Sequence, residues 1–532
     1  MERAAARHRL GPALAAVALA EYALVSLAFP LAAGRDLGTY LRAAFELRSD
    51  EVVLPQALLM RAPVTGVVAD GLLWAGSLAA EAGMALLFAL SVLCWWRAAG
   101  RVSPAAGLVT AALLLAFPGY VLLFHQLASD ALFAAAFAVA ALALARVVER
   151  PATGRAVALG LALALLVLVR PVGQVLVLLL PLVLLLPGAW RVRLGRLAAV
   201  AVAIALPLAG WAAHNDFRAD DLTVVRGAGH GLPLYRAFVV DRIVEPANGE
   251  ATRELARAVQ EDLLPREPYR SYGISLDEFF ASGSARMHED LIGLADRTWG
   301  WDDDYRHLAR VGREAVLEHP LDYARGVARD VWRLLWWPLF LPVEQEVGAR
   351  AGEGGTGYAP LAVSAQQPPE LPPPSEGQPI PSASVSSFIS TPDGRFREVW
   401  TSPTEHEILA DDPEDAAHLH ASNVHVNERY EAFPDRSGEA GLGTWLNRAS
   451  RWFPRSALWL LLALAAVLVR RPSAIGLPAV LTGGALFLLG TTALAVPAAA
   501  EYAVPVAPSF MVLALAALLA PGRGSRSVGS AA

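Results

Sequence analysis

Long apolar runs are the feature that most restricts the fold of this chain. A helix needs about 20 apolar residues to cross the hydrocarbon core of a bilayer. Of the 532 residues, 55% are hydrophobic and 18% are charged, against roughly 25% charged residues in soluble domains. The sequence therefore predicts an all-α integral membrane protein with about ten transmembrane helices, over residues 12–33, 72–96, 104–118, 127–146, 156–170, 171–187, 197–214, 454–469, 474–496 and 503–520.

Arginine placement predicts the orientation of these helices. If the chain crosses ten times, most arginines between spans fall on one side, which the positive-inside rule assigns to the cytoplasm. The sequence thus predicts a multi-pass protein of the cell membrane with cytoplasmic N- and C-termini, with 34–71, 119–126, 215–453 and 497–502 facing outward. The arginines concerned are Arg3, Arg7, Arg9, Arg97, Arg101, Arg146, Arg150, Arg155, Arg191, Arg193, Arg196, Arg470, Arg471, Arg523 and Arg526.

Four parts follow from this pattern. Residues 1–214 form an N-terminal transmembrane module with the first extracytoplasmic loop at 34–71, and 454–532 form a C-terminal transmembrane module. Between them, 215–343 is a mainly helical extracytoplasmic region, and 344–453 is a Pro/Gly-rich linker followed by a polar segment.

The helical region carries recognisable helix signals. Ser275 and Glu278 fit a capping box, and Pro320 suits the first turn of a later helix. That helix carries arginines four residues apart and tryptophans typical of the membrane interface. If residues 327–343 crossed the membrane, Arg470 would lie on the extracytoplasmic side, against the positive-inside rule. We therefore predict that 327–343 is interfacial or re-entrant.

Composition excludes several function classes. A net charge of -6 gives no sign of a nucleic-acid partner. All 44 basic residues are arginine, so no lysine can form a Schiff base. The single cysteine, Cys94, excludes an intramolecular disulfide and a multi-cysteine metal site.

The first loop holds an acid directly after the first span. Asp36 follows Arg35, and the next residues, including Tyr40, fit a short amphipathic helix on the membrane surface. Arg61 lies before the second span. Spacing alone leaves an ordinary solvated ion pair of Arg35 and Asp36 open.

This loop resembles the first extracytoplasmic loop of the GT-C superfamily of polyprenyl-phosphate-dependent glycosyltransferases, which includes protein O-mannosyltransferases and the aminoarabinose transferases of lipid A. Asp36, Tyr40 and Pro63 match its pattern of an acid, a Tyr-containing juxtamembrane helix and a Pro-containing stretch. Four further segments resemble the family in the same order along the chain: Phe124–Asp130, Val169–Pro171, Glu318–Tyr323 and Ala500–Pro505.

One of these segments departs from the family. The family's Arg-Tyr-x-x-Pro loop is similar to residues 501–505, but Glu501 stands before Tyr502 where the pattern has arginine. The resemblance covers about residues 10–345 and 454–520 and implies a GT-C-like fold.

The resemblance implies inverting transfer of a sugar from a polyprenyl-phosphate carrier to an extracytoplasmic glycan, lipid or protein acceptor. Asp36 would be the general base that takes the acceptor proton. Arginine pairs bidentately with phosphate, so Arg61, Arg170 and the face formed by Arg325, Arg329 and Arg333 are candidates for the lipid phosphate. Arg170 also fits a snorkelling interfacial anchor, and the triple-arginine face also fits binding of ordinary anionic lipids.

Asp130 is the second candidate catalytic acid. It would orient the acceptor, assist Asp36 or join His125 at a divalent metal, or it is simply an N-terminal helix acid favoured by the macrodipole. The candidate substrate-binding residues are Arg35, Tyr40, Arg61, His125, Arg170, Glu501 and Tyr502. The sequence requires no cofactor and fixes no metal ligand. Two other classes stay open: a polytopic transporter or lipid flippase, and a non-catalytic envelope assembly protein.

Overall fold

Helices of membrane-spanning length dominate the structure. The computed structural model describes residues 2–227, 232–336, 389–400, 406–436, 438–470, 472 and 475–520. Within these ranges the chain is mainly helical, with two short two-stranded sheets. Six helical stretches are long and apolar enough to cross a membrane: Ser77–Ala99, Ser129–Glu149, Trp190–Ala219, Ala440–Arg470, Gly476–Ala495 and Glu501–Leu519. The prediction of an all-α membrane protein is confirmed at this level, whereas ten crossings and their orientation stay predictions.

Five shorter apolar helices accompany these six. They are Leu10–Val25, Pro63–Trp74, Pro104–Leu115, Thr153–Val169 and Pro171–Leu185. The last is a continuous 3-10 helix of 15 residues that begins directly after Arg170. The predicted span 72–96 was wrong at its start, because the chain breaks between Trp74 and Ser77. Gly76 causes the break with its φ of 95°, a conformation that glycine adopts without steric cost.

The other helical segments include the ones that make up the stretches Ala440–Arg470 and Glu501–Leu519. Their bounds are Glu2–Val25 (which contains the first apolar run), Leu37–Arg48, Pro55–Leu59, Pro118–Leu123, Leu232–Tyr235, Arg236–Val240, Glu250–Ala258, Val259–Leu263, Tyr269–Tyr272, Leu276–Ser282, Ala285–Trp299, Trp301–Asp303, Arg306–Glu318, Pro320–Trp336, Pro413–Glu431, Ala440–Trp452, Ser456–Arg470, Ala500–Ala503, Val504–Val506 and Ala507–Leu519.

The helical region after the seventh predicted span has a hydrophobic core of its own. Phe238, Phe279 and Leu308 are fully or almost fully buried in it. The predicted capping box at Ser275 is present, and the helix predicted to begin at Pro320 does so. Residues 337–343 of the predicted interfacial segment lie outside the described residues.

A buried arginine joins this region to helix Gly476–Ala495, one of the six that are long and apolar enough to cross a membrane. Arg236 is fully buried and pairs with Asp241 at 2.8 Å and with Asp330 at 2.9 Å. It also donates to the carbonyl of Ala493, in helix Gly476–Ala495, at 2.5 Å. One guanidinium therefore links three elements through its fixed fork of donors.

A two-residue parallel bridge joins the segment after the first helix to the segment before helix Ser129–Glu149. Ala32–Ala33 pairs with Gln126–Leu127. The next residue, Gly34, lies so close to Ala128 that an added Cβ would collide with the alanine side chain. The bridge therefore holds the start of the first loop against the start of helix Ser129–Glu149.

The polar segment before the C-terminal module folds back over the first loop. Strands Phe396–Trp400 and His406–Ala410 pair antiparallel and precede helix Pro413–Glu431. From that helix, His418 contacts Glu46 at 2.8 Å. The sequence left 396–450 unassigned, and residues 344–388 of the predicted linker lie outside the described residues.

Asp70 is the second acidic residue that holds helix Pro413–Glu431 in place. It is buried in helix Pro63–Trp74 and pairs with His425 and with Arg429, each at 2.8 Å. These two contacts to one carboxylate fix helix Pro413–Glu431 against helix Pro63–Trp74, since hydrogen bonds to an ionised group are stronger than those between neutral groups.

Candidate functional site

A cavity of about 450 Å³ lies where the first loop, the helical region and the last helices meet. Its walls combine apolar side chains from helix Gly476–Ala495 with charged and aromatic groups. We call it the central cavity. Four of the predicted substrate-binding residues line it: Arg61, Arg170, Glu501 and Tyr502. Residues far apart in the sequence thus converge on one cavity.

Three arginine–carboxylate pairs surround one side of this cavity. Arg61 lies 3.6 Å from Asp36, and Arg35 lies 2.6 Å from Glu501. Arg170 pairs with Asp130. We call these six residues the arginine–carboxylate cluster. It brings together both predicted catalytic acids and three of the predicted binding arginines.

Local backbone geometry positions Asp36 at the cluster. It caps the N-terminus of helix Leu37–Arg48 with a φ of 62° in the left-handed region, which aspartate adopts more readily than most residues. Its side chain is 47% exposed, so the carboxylate is accessible to a ligand. Asp36 does not itself line the central cavity but adjoins it through Arg61.

Arg61 is held by the same loop that carries Asp36. Its Nε donates to Thr39 Oγ1 at 2.9 Å, and its guanidinium lies 5.2 Å from the centre of the Tyr40 ring. Thr39 in turn donates to the carbonyl of Asp36 at 2.7 Å. This chain of contacts fixes the arginine relative to the acid and gives Tyr40 a positioning role.

Arg170 is positioned by a change of helix type. It separates helix Thr153–Val169 from the 3-10 helix, in an extended conformation that directs it out of both. Its guanidinium lies 4.8 Å from the centre of the Tyr502 ring. Asp130 and Tyr502 therefore hold it from two sides, which differs from a free snorkelling side chain.

Glu501 is the residue at which the sequence departs from the family's pattern. The resemblance expects a cation before Tyr502, and the chain has an acid there. In the structure that acid pairs with Arg35, whose Nη1 also donates to the Tyr502 hydroxyl at 3.5 Å. A cation from the first loop thus stands beside Tyr502.

The two loop arginines keep their charge. Burial lowers the pKa of Arg35, but Glu501, Tyr502 and Asp36 outweigh that effect and raise the pKa above its usual value. Burial likewise lowers the pKa of Arg61, and Asp36, Tyr40 and Glu289 raise it further than burial lowers it. Since a guanidinium has five N–H donors, each retains donors for an anion beyond its carboxylate partner.

Several predicted residues lie elsewhere. His125 is fully buried and stacks on Tyr22 with ring centres 4.0 Å apart, away from the central cavity. Its proximity to Asp130 in sequence does not bring it to the cluster. The triple-arginine face does not line the cavity either: its members pair with Asp322, Asp241 and Asp330.

The cavity has a second polar wall that the sequence did not indicate. Tyr235, His288 and Glu289 line it. His288 and Glu289 belong to helix Ala285–Trp299, whose amphipathic pattern predicts a helix but not what its polar side faces. No local signal identifies them, because their role depends on packing between distant segments.

Arg226 lines the central cavity next to this wall. It is 4% exposed and bonds to Gln56 at 2.8 Å and to Asp296 at 3.0 Å. It also stacks over Trp301 at 3.5 Å. Because both of its Nη groups donate to partners within the protein, we assign it to the cavity's framework.

Metal ligation has little support among the residues that the structure describes. No group of three or more His, Cys, Asp or Glu side chains is close enough there to hold an ion. Asp130, the acid predicted for a metal with His125, pairs with an arginine instead.

Comparison of the chain with protein-family models, with curated protein sequences and with solved structures found no match. The resemblance described above therefore depends on the motifs alone.

Proposed function

We propose that this protein is a membrane glycosyltransferase of GT-C type, with about ten transmembrane helices. It transfers a sugar from a polyprenyl-phosphate carrier to an extracytoplasmic glycan, lipid or protein acceptor. The observation that supports this most strongly is the arginine–carboxylate cluster beside a cavity of about 450 Å³ among apolar helices. A lipid-borne phosphate sugar needs both an apolar surround and cations.

Asp36 is the proposed general base. The acceptor oxygen attacks the anomeric carbon, the bond from that carbon to the phosphate oxygen breaks, and the acceptor proton passes to the Asp36 carboxylate. The lipid phosphate leaves with the negative charge. Arg61 and Arg170 stabilise that charge with N–H groups, because hydrogen bonds between arginine and phosphate are charge-assisted.

Exchange of carboxylate for amide at position 36 tests the proposal. In cells lacking the protein, one polyprenyl-phosphate sugar should accumulate and the corresponding glycan should be lost. Wild-type protein should reverse both changes, while Asp36→Asn should leave turnover lower by roughly 10²–10⁴-fold, the usual contribution of a general base. Asp50→Asn is the matched control, because Asp50 is an exposed acid of the same loop, two residues beyond the end of helix Leu37–Arg48.

Two outcomes would reject the proposal. If no lipid carrier or glycan changes without the protein, transfer is not its function. If Asp36→Asn restores turnover as fully as Asp50→Asn, the carboxylate is not the base and a non-catalytic assembly role gains support. Substrate-dependent flux in vesicles would favour a transporter or flippase.

A further inference from the structure

Helix Ala285–Trp299 directs a histidine toward the central cavity. On one side, Met287 and Leu291 are fully buried in the core of the helical region. His288 and Ile292 are four residues apart and so share a neighbouring face, and both line the cavity. The apolar side fixes the helix, so the histidine is held against the cavity rather than left mobile.

The imidazole of His288 is buried without a partner. It is 8% exposed, and neither ring nitrogen has a hydrogen-bond partner in the part of the chain that the structure describes. Its ring meets the Tyr235 ring nearly edge-on, with centres 4.9 Å apart. A buried polar group that forms no hydrogen bond destabilises the folded protein. A ligand in the cavity would supply the missing hydrogen bonds.

The charge state of this histidine restricts the ligand. Burial lowers the pKa of His288 to about 4, so the ring is neutral near pH 7. A neutral imidazole has one donor and one acceptor nitrogen. A phosphate at that pH offers acceptors almost alone and prefers cations, whereas a hydroxyl group both donates and accepts. The site therefore suits a neutral hydroxyl rather than an anion.

Tyr235 connects this position to the cluster. It lines the same cavity, and its phenol is close enough to Arg35, Glu289 and Asp36 for their charges to act on it. Burial, followed by the charges of Tyr502, Glu289 and Asp36, raises the pKa of Tyr235 to about 12. The phenol is thus protonated and available as a donor.

We propose that His288 and Tyr235 form a hydroxyl-binding subsite that selects the sugar of the lipid-phosphate donor. The inference rests on the proposed function, in which arginines of the cluster hold the phosphate. With the phosphate beside those arginines, the attached sugar extends toward the wall that carries His288 and Tyr235. His288 is then a specificity-determining residue, and Asp36 is the residue that acts on the acceptor.

Ligand-dependent thermal stability of the full-length purified protein in detergent tests the subsite without any transfer reaction. The probes are methyl glycosides of mannose, galactose, glucose and arabinose, with inorganic phosphate as the anionic comparison. At least one glycoside should raise the Tm of the wild type in proportion to the logarithm of its concentration once above its Kd. His288→Phe should lose that rise, and His288→Gln, which keeps a donor and an acceptor, should retain part of it.

Phosphate supplies the internal control for folding. It should raise the Tm of wild type and His288→Phe equally, because the cluster arginines are unchanged. The subsite is refuted if no glycoside raises the wild-type Tm, or if His288→Phe keeps the full glycoside effect. Asp36→Asn should keep the glycoside effect, so failure of the base assignment and failure of the subsite are separate results.

Discussion

One close approach of two helices decides how firmly Asp36 is held. Gly66, in helix Pro63–Trp74, packs against helix Leu37–Arg48, and a Cβ added there would lie 2.5 Å from the carbonyl oxygen of Tyr40. Ordinary contact begins at 3.4 Å, so Gly66→Ala must separate the helices by 3.4 less 2.5, or 0.9 Å. Overpacking of this kind costs about 1–3 kcal/mol.

The same helix offers a matched control. Gly71 has no atom within 4 Å of an added Cβ. Both substitutions gain the helix propensity of alanine over glycine, about 1 kcal/mol, so this gain cancels when the variants are compared. Gly66→Ala should therefore be about 1–3 kcal/mol less stable than Gly71→Ala, measured by unfolding in mixed micelles of mild detergent and dodecyl sulfate.

Activity should follow the same geometry. Asp36 begins the displaced helix, and a misplacement of about 1 Å can cost on the order of 10²-fold in rate. Sugar transfer should fall by that order in Gly66→Ala and stay unchanged in Gly71→Ala. Equal stability and equal transfer in the two variants would refute the reasoning.

Two further predictions concern buried and titrating charges. Arg236→Met removes the partner of the buried Asp330 carboxylate and should destabilise the protein by about 3–5 kcal/mol. Arg325→Ala, in the helix that carries Asp330, removes an exposed pair and should cost at most about 1 kcal/mol. The same unfolding assay compares the two variants, and similar losses of stability would contradict the burial argument. Glu46 raises the pKa of His418 by hydrogen bonding, although burial opposes it. The contact is therefore strongest below about pH 6.5, the usual histidine pKa, and weakens as the pH rises through the raised value. Proteolysis of helix Pro413–Glu431 should accelerate over that pH interval, and His418→Gln should abolish the acceleration.

Local sequence signals predicted many of the residues that the structure brings together at the candidate site. Asp36, Arg61 and Arg170 lie at ends of apolar segments, where composition alone shows that polar groups meet the membrane boundary. The order of the family-like motifs along the chain supplied the resemblance. Their convergence was beyond local reasoning, because it depends on a two-residue bridge and on the bare backbone of Gly34.

Sequence proximity gave a wrong indication for His125, and no local signal indicated His288. His125 is close to Asp130 in sequence, but it precedes the bridge strand and its ring turns into the core against Tyr22. His288 gave no signal, since a histidine on an amphipathic helix has the same pattern whether it faces water or a cavity. Only the packing of the helical region against the last helices distinguishes the two.

The 3-10 geometry of Pro171–Leu185 changes how far this short segment reaches. At about 2.0 Å per residue, its 15 residues extend roughly 30 Å, which equals the thickness of a bilayer's hydrocarbon core. An α-helix of the same residues would extend only about 22 Å. A change of this segment from 3-10 to α-helical geometry would thus move Arg170 toward Leu185 by roughly 8 Å. That distance is large enough to remove the guanidinium from Tyr502 and from any phosphate held beside it.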